Sequence, residues 1–358
     1  MALRIIDLEG EPYEMGYVHG QTLEEEIHRL AEMRYRSCEQ DEAAAGRKLS
    51  RPRALGLARE CVHIQEQWAP DVHREFMGIA RGARLSPEEL LITNGYTDFR
   101  DLLSASAGGP ARGCTSFMVG PRAAADGRTW LGQTWDMNAG VEPMVAAFRR
   151  KPRGAPRSVV LSTAGCLSLV GMNEHGLAIG NNNLEPTDAR PGVVYLAIIH
   201  DFLRRTTLEK AMEAITAAPR ASGHNYYMSD GKGRCVDIET TARHYEAIAP
   251  PDAIYTHANH YTAASLKPLE AAPPERSTLA RERRLAGLLG QERGRIELNV
   301  LKRALGDRDG GEYGEDGHIS RRGPYPTAAV AILRPRDLEA WFCRGPVDEN
   351  ELERVEFQ

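Results

Sequence analysis

The stretch that decides how this chain reads is Gly113-Cys114-Thr115-Ser116-Phe117-Met118-Val119, followed across a turn built around Asp126-Gly127 by Thr129-Trp130-Leu131-Gly132-Gln133-Thr134-Trp135-Asp136. Ser104 to Gly113, just before it, is small, glycine-rich and without apolar period, the composition of a flexible connector. Cys114 therefore stands where a connector becomes the first strand of a hairpin. A cut before it would leave a thiol and a free α-amine on one residue at the rim of a sheet. An α-amine has an ordinary pKa of about 7.7–8.0, so it can act as general base for its own thiol. Glycine before the nucleophile suits self-cleavage, since it lets the backbone bend toward attack on its own carbonyl. Across the hairpin Asp136 falls alongside Cys114, where a carboxylate could hold and orient that amine. Taken singly, a buried structural cysteine and a strand-ending aspartate explain the two residues equally well.

Working outward, residues 1–113 read as mostly helical. Leu23, Ile27, Leu30 and Met33 keep a helical spacing, as do Leu57, Cys61, Ile64 and Trp68, then Val72, Phe76 and Ile79. Ser86-Pro87-Glu88-Glu89 is a capping box with proline at the first helical position. After Cys114, strand pairs flank Asn173-Glu-His-Gly176, Asp230-Gly-Lys-Gly233 and Arg334-Pro-Arg-Asp337. Helical stretches cover about 193–217, with a second capping box at Thr206 and Glu209, and about 277–306. Hairpins in groups with helices between them predict an α+β fold of two packed antiparallel sheets covered by helices.

The 358 residues carry a net charge of -5, too small to argue for nucleic acid or an anionic membrane as partner. No signal-like run opens the chain and no window is long and apolar enough to span a bilayer, so the expected location is cytoplasmic. Cysteines 38, 61, 114, 166, 235 and 343 form no CxxC or zinc pair and read as reduced thiols. His257 and His260 are three apart, but no third metal ligand accompanies them. In Thr256-His257-Ala258-Asn259-His260 the asparagine amide can donate to a developing oxyanion. Asn181-Asn182-Asn183 could equally be a turn.

Taken together and in order, these motifs resemble the isopenicillin N acyltransferase-like family of autoproteolytic cysteine Ntn hydrolases, related to penicillin V acylases and bile salt hydrolases. Gly10-Glu-Pro-Tyr-Glu-Met-Gly16-Tyr-Val-His-Gly20 resembles the family's start. Phe76-Met-Gly78-Ile-Ala-Arg-Gly82 with Asn94 resembles the end of its pro-segment. Gly113-Cys114-Thr115, Gly132-Gln133-Thr134-Trp135-Asp136 and His257-Ala-Asn259-His260 resemble its cleavage and site motifs, and Met172-Asn-Glu-His-Gly-Leu177 followed by Asn182 resembles the acylase relatives. The resemblance implies an αββα sandwich, with residues 1–113 a helical pro-segment and 114–358 the catalytic domain. It implies Cys114 as nucleophile for self-cleavage at Gly113–Cys114 and for turnover, and Asp136 as the carboxylate beside it. It also implies Asn259 and Asn182 on the oxyanion side, and Arg281 as the acylase arginine, with Arg321 and Arg322 as alternatives near the C-terminal strands. The implied chemistry is acyl transfer through a thioester from a small-molecule acyl amide substrate. An acyl thioester donor such as an acyl-coenzyme A, or an uncleaved binding protein, is the rival reading. It needs no cofactor and no metal, and makes the mature protein a heterodimer of its own two fragments, higher assembly being left open.

Overall fold

A computed structural model describes residues 2–44, 46–103, 113–250 and 253–358. Apart from Gly113, the connector read at 104–113 lies outside them.

The N-terminal part is a strand, β1 (Arg4–Gly10), and six helices: α1 (Pro12–Thr22), α2 (Glu24–Ala44), α3 (Arg51–Trp68), α4 (Pro70–Gly82), α5 (Pro87–Asn94) and α6 (Tyr96–Leu103). The Ser86 box forms as read, its hydroxyl accepting from the Glu89 N–H while the Glu89 side chain reaches back to the Ser86 N–H. On α3 the stripe is corrected. Ala54, Ala58, Cys61 and Gln65 are the buried face, and Leu57, Ile64 and Trp68 are only half-buried at its flank.

The closest approach is between α1 and α4. A methyl group on Gly16 would stand 2.0 Å from the Glu75 carbonyl oxygen, one on Gly20 2.3 Å from that of Ile79, one on Gly78 2.2 Å from that of Tyr13, and one on Gly82 2.3 Å from that of Tyr17. Two Gly-x-x-x-Gly pairs thus lock backbone against backbone, which explains the glycines in both N-terminal motifs.

The rest of the chain adds β2 (Cys114–Val119), β3 (Trp130–Asp136), β4 (Val145–Pro152), β5 (Ser158–Thr163), β6 (Val170–Asn173), β7 (Ala178–Leu184), α7 (Tyr195–Leu203), α8 (Leu208–Thr216), β8 (Gly223–Ser229), β9 (Cys235–Thr240), β10 (Tyr245–Ile248), β11 (Ile254–His257), α9 (Arg276–Gln291), α10 (Leu298–Leu305), β12 (Thr327–Arg334), β13 (Glu339–Arg344) and β14 (Glu353–Val355). All four predicted strand pairs form. Each predicted long helix is two shorter ones. The second cap belongs to Thr207, whose hydroxyl accepts from the Lys210 N–H, and not to Thr206.

The strands form two sheets, in the orders β1-β4-β5-β6-β7-β8-β9-β10 and β11-β2-β3-β12-β13-β14. Every pairing is antiparallel except that of β1 with β4. β1 is the departure from a purely helical N-terminal segment: it forms the edge of the larger sheet. One apolar core runs from α1–α6 through the space between the sheets to α7, while a second lies between the smaller sheet and α9–α10. The layers are helix, sheet, sheet, helix, an αββα sandwich of the α+β class. The sheets are stapled by Gln133, whose Oε1 accepts from the Asn181 N–H (2.9 Å) and the Tyr227 hydroxyl (2.7 Å). A methyl on Gly180 would meet that hydroxyl at 2.0 Å, so Gly180 is there for space. Among the described residues no helix is long and apolar enough to cross a membrane.

Candidate active site

Cys114 opens β2, an interior strand of the smaller sheet next to its edge strand β11, and is paired with Trp135 of β3. One step beyond that pair the Asp136 N–H donates to the Gly113 carbonyl (2.8 Å). The hairpin therefore brings Asp136 against the Gly113–Cys114 peptide as its strand pattern predicts, although the connection is a long loop tied at Ala124 to Ile296 rather than a tight turn. On the other side of β2 lies β11, and the chain just beyond it supplies Asn259. Its Oδ1 accepts from the Cys114 N–H (3.0 Å).

Arg281, wholly buried on α9, closes the cluster. Its Nη1 donates to the Cys114 carbonyl (2.8 Å) and the Thr115 hydroxyl (2.7 Å), and its Nη2 donates to Asn259 Oδ1 (2.9 Å). With two donors on Oδ1, the Asn259 amide is oriented, and its Nδ2 donates to the Asn183 carbonyl (3.1 Å). This differs from the expectation that the amide faces an oxyanion: here it grips the Cys114 nitrogen. Gly113 is needed for that grip, because a methyl there would lie 2.1 Å from Asn259 Oδ1. Its φ is not positive, so the requirement is space rather than the backbone bend anticipated from sequence.

Asn182 is not brought to this cluster. Successive strand residues point to opposite sides. Asn182 Oδ1 accepts from the hydroxyl of Ser116 on β2 (2.7 Å) and from Nδ2 of Asn225 on the neighbouring strand β8 (3.2 Å). Its neighbours Asn181 and Asn183 line the pocket instead. Of the alternative arginines, Arg321 reaches Asp136, with Nη1 4.0 Å from Oδ2, whereas Arg322 turns away to Asp348 and Glu349.

Asp136 is 1% exposed. Its Oδ1 accepts from the Thr327 hydroxyl (2.7 Å) and its Oδ2 has no hydrogen-bond partner. Burial pushes its carboxyl up, against the pull of Arg321, Arg281 and Thr327. Burial, and then Asp136, also push the Cys114 thiol well above its ordinary value. Burial brings the Arg281 guanidinium down to about 10, which leaves it charged at neutral pH.

The pocket at Cys114 is walled by Thr97, Trp135, Met137, Asn181, Asn183, Tyr195 and His224. His224 stacks on Tyr195 (4.3 Å between centroids), and neither of its ring nitrogens has a hydrogen-bond partner. Deeper, beyond Trp135 and Met137, a second cavity continues past Thr93, Tyr96, Cys166, Leu169 and Leu196. Helices α5 and α6 thus wall the site, so the N-terminal segment belongs to it. Thr97, Tyr195, His224 and Thr327 carry no motif in the sequence; only Thr327's place at the start of a predicted strand hinted at it.

The fold and this cluster define a layered αββα protein in which a glycine–cysteine peptide at the head of a central strand is gripped by an asparagine, a buried arginine and a backbone N–H. Residues 124–347 match the acyl-coenzyme A:6-aminopenicillanic acid acyl-transferase family, and the chain belongs to it. The match begins ten residues after Cys114. An uncharacterised protein of Archaeoglobus fulgidus is 26% identical over 394 aligned positions, which cover 95% of this chain and 63% of that one, so the chain spans just under two thirds of this relative's length. The 40 kDa form of acyl-coenzyme A:6-aminopenicillanic-acid-acyltransferase from Emericella nidulans is 24% identical over 71% of this chain and 68% of its own. Among solved structures, a variant of conjugated bile acid hydrolase from Clostridium perfringens aligns over 68% of this chain and 97% of its own, with 13% identity and a TM-score of 0.46. Penicillin V acylase from Agrobacterium tumefaciens aligns over 68% and 86%, with 13% identity and a TM-score of 0.42.

Proposed function

We propose that the protein cuts itself between Gly113 and Cys114 and then works as a cysteine amidohydrolase or acyltransferase on a small N-acylated amine. The observation that carries this reading is the grip on both sides of one peptide bond. The Asp136 N–H holds the Gly113 carbonyl, and Asn259 Oδ1 holds the Cys114 nitrogen.

In self-cleavage the Cys114 sulfur attacks the Gly113 carbonyl carbon. The Asp136 N–H steadies the developing oxyanion. The C–N bond breaks, the thiol proton ends on the Cys114 nitrogen, and Gly113 is left as a thioester. Water hydrolyses it, releasing the Gly113 carboxylate and restoring the thiol. The new α-amine stays between Asn259 Oδ1 and the Asp136 carboxylate, and the Asp136 N–H becomes free for the next carbonyl. In turnover the amine takes the thiol proton as the sulfur attacks a substrate amide and returns it to the departing amine. Water or a second amine then takes the acyl group from the thioester.

The family and the Emericella relative favour the second reading, in which an acyl-coenzyme A supplies the thioester and the protein acylates an amine. Fragments 1–113 and 114–358 remain joined without a covalent link, since β1 and α5–α6 complete the sheet and the pocket. Product analysis separates the two readings: an amidohydrolase keeps turning over an N-acyl amine with water as acceptor and releases the amine, whereas a transferase releases one equivalent of coenzyme A from an acyl-coenzyme A and continues only when an acceptor amine is added.

A further inference from the structure

We infer that Glu239 is a positioning residue for this site, acting through His257 to hold the turn that carries Asn259. The inference rests on the proposed role of Asn259 at the Cys114 nitrogen.

Glu239 is on β9 in the larger sheet and His257 ends β11 in the smaller one, so their contact bridges the layers. Both are fully buried. Glu239 Oε1 faces His257 Nε2 (3.0 Å), the Thr262 N–H (2.8 Å) and the Thr262 hydroxyl, while its Oε2 accepts from the Ala263 N–H (3.1 Å). One carboxylate therefore ties down both ends of the segment 257–263. Asn259 sits inside it, its own N–H donating to the Thr278 hydroxyl (2.6 Å). His257 Nδ1 donates to the Ala258 carbonyl (2.8 Å), which leaves Nε2 for the carboxylate.

Asp237, Glu239 and His257 also have the spacing of metal ligands. The donors decide against that use. Three of the four groups on Glu239 are N–H or O–H groups of Thr262 and Ala263 already aimed at its oxygens, so a cation would have to displace them. A proton on Nε2 satisfies the same geometry. Burial acts to lower the His257 pKa, but Glu239, with Asp237 and Glu282 adding to it, raises it to about 9. The charged groups facing His257 are Glu239 and Asp237 of β9 and Glu282 of α9. Tyr255 donates to Asp237 (2.9 Å), and His260, stacked 6.0 Å from the His257 ring, pairs with Glu282.

Self-cleavage tests this without knowledge of the substrate. In Glu239→Gln the rate of Gly113–Cys114 cleavage, read on denaturing gels, should fall about 100-fold, the scale on which a displaced reacting group costs rate. The alkaline limb of its pH profile should move to lower pH, since the carboxylate that keeps His257 protonated is gone. Nitrogen NMR of the wild type supplies a reading that needs no variant: both His257 ring nitrogens should carry protons at neutral pH. Melting should not change with added zinc or with EDTA. A folded Glu239→Gln protein that cleaves at the wild-type rate with an unmoved limb would overturn the inference, as would a neutral His257 ring or a zinc-dependent rise in melting temperature. If the wild type itself never cleaves, the proposed function fails while the NMR result still decides the ion pair.

Discussion

The α1–α4 crossing and the cluster around Cys114 both lie inside the fold, the crossing fully buried and the cluster with Asn259 and Arg321 at its half-buried rim, yet they are held by opposite means. The crossing contains no side chain at its centre: four glycines let carbonyls and amides touch. The cluster is almost all polar, with Asn259 Oδ1 shared by Cys114 and Arg281 and the Asp136 carboxylate shared by Thr327 and Arg321. A contact of the first kind is sensitive to added volume and indifferent to charge. The second kind is sensitive to a lost donor or charge, and at Gly113 to added volume as well. The proposed chemistry sits in the second region, where a thiol is surrounded by groups that respond to its charge.

Substitutions of each kind sharpen that contrast. Asp136→Asn keeps shape and removes charge, so cleavage and turnover should fall by about 100-fold or more, the scale of general acid–base catalysis. Its melting temperature should stay within about 5 °C of wild type, because Asp136 Oδ2 has no hydrogen-bond partner to lose. Equal rates for wild type and variant would remove Asp136 from the chemistry. Gly20→Ala does the reverse. Its methyl meets the Ile79 carbonyl at 2.3 Å, so unfolding free energy measured in urea should drop by about 2 kcal/mol. Cleavage at temperatures where the variant is folded should be near normal. An unchanged midpoint would mean that the crossing is looser than described. Thr327→Val, which removes the hydroxyl on Asp136 Oδ1, should cost about 1 kcal/mol. It should also push the Asp136 carboxyl further up, seen as an acid-side shift of the cleavage profile toward higher pH.

Stability should depend on pH through His257. Its folded pKa is about 9, above the ordinary value of 6.5. The ion pair's contribution is therefore complete below about pH 6.5 and is lost as pH rises through about 9. Melting curves between pH 7 and 10 should show that decline, and its absence from Glu239→Gln would assign it.

Much of this arrangement was legible because it is local. Cys114 and Asp136 belong to one hairpin, and a pairing pattern alone sets them side by side. The strand pairs were visible for the same reason. β1 was not, since it is an edge strand whose partner, β4, lies some 140 residues on and runs parallel to it. The face of α3 differs from the leucine stripe because two alanines, a cysteine and a glutamine turn inward instead. Asn182 carried the family pattern, but strand alternation turns it to Ser116 and Asn225 and leaves Asn181 and Asn183 on the pocket wall. Glu239 and Thr327 bear on the site from strands more than 100 residues away in sequence, and nothing near them signals a role. Arg281 was reachable only through resemblance, because a helix in a separate layer carries it to the Cys114 carbonyl.

The central claim is that Cys114 cuts its own chain, and intact-mass measurement of purified wild type beside Cys114→Ala tests it most directly. The wild type should give two masses, those of residues 1–113 and 114–358, and the variant should give only the full-length chain. A wild type that stays whole after prolonged incubation at neutral pH, or a Cys114→Ala protein that still separates at Gly113, would contradict it.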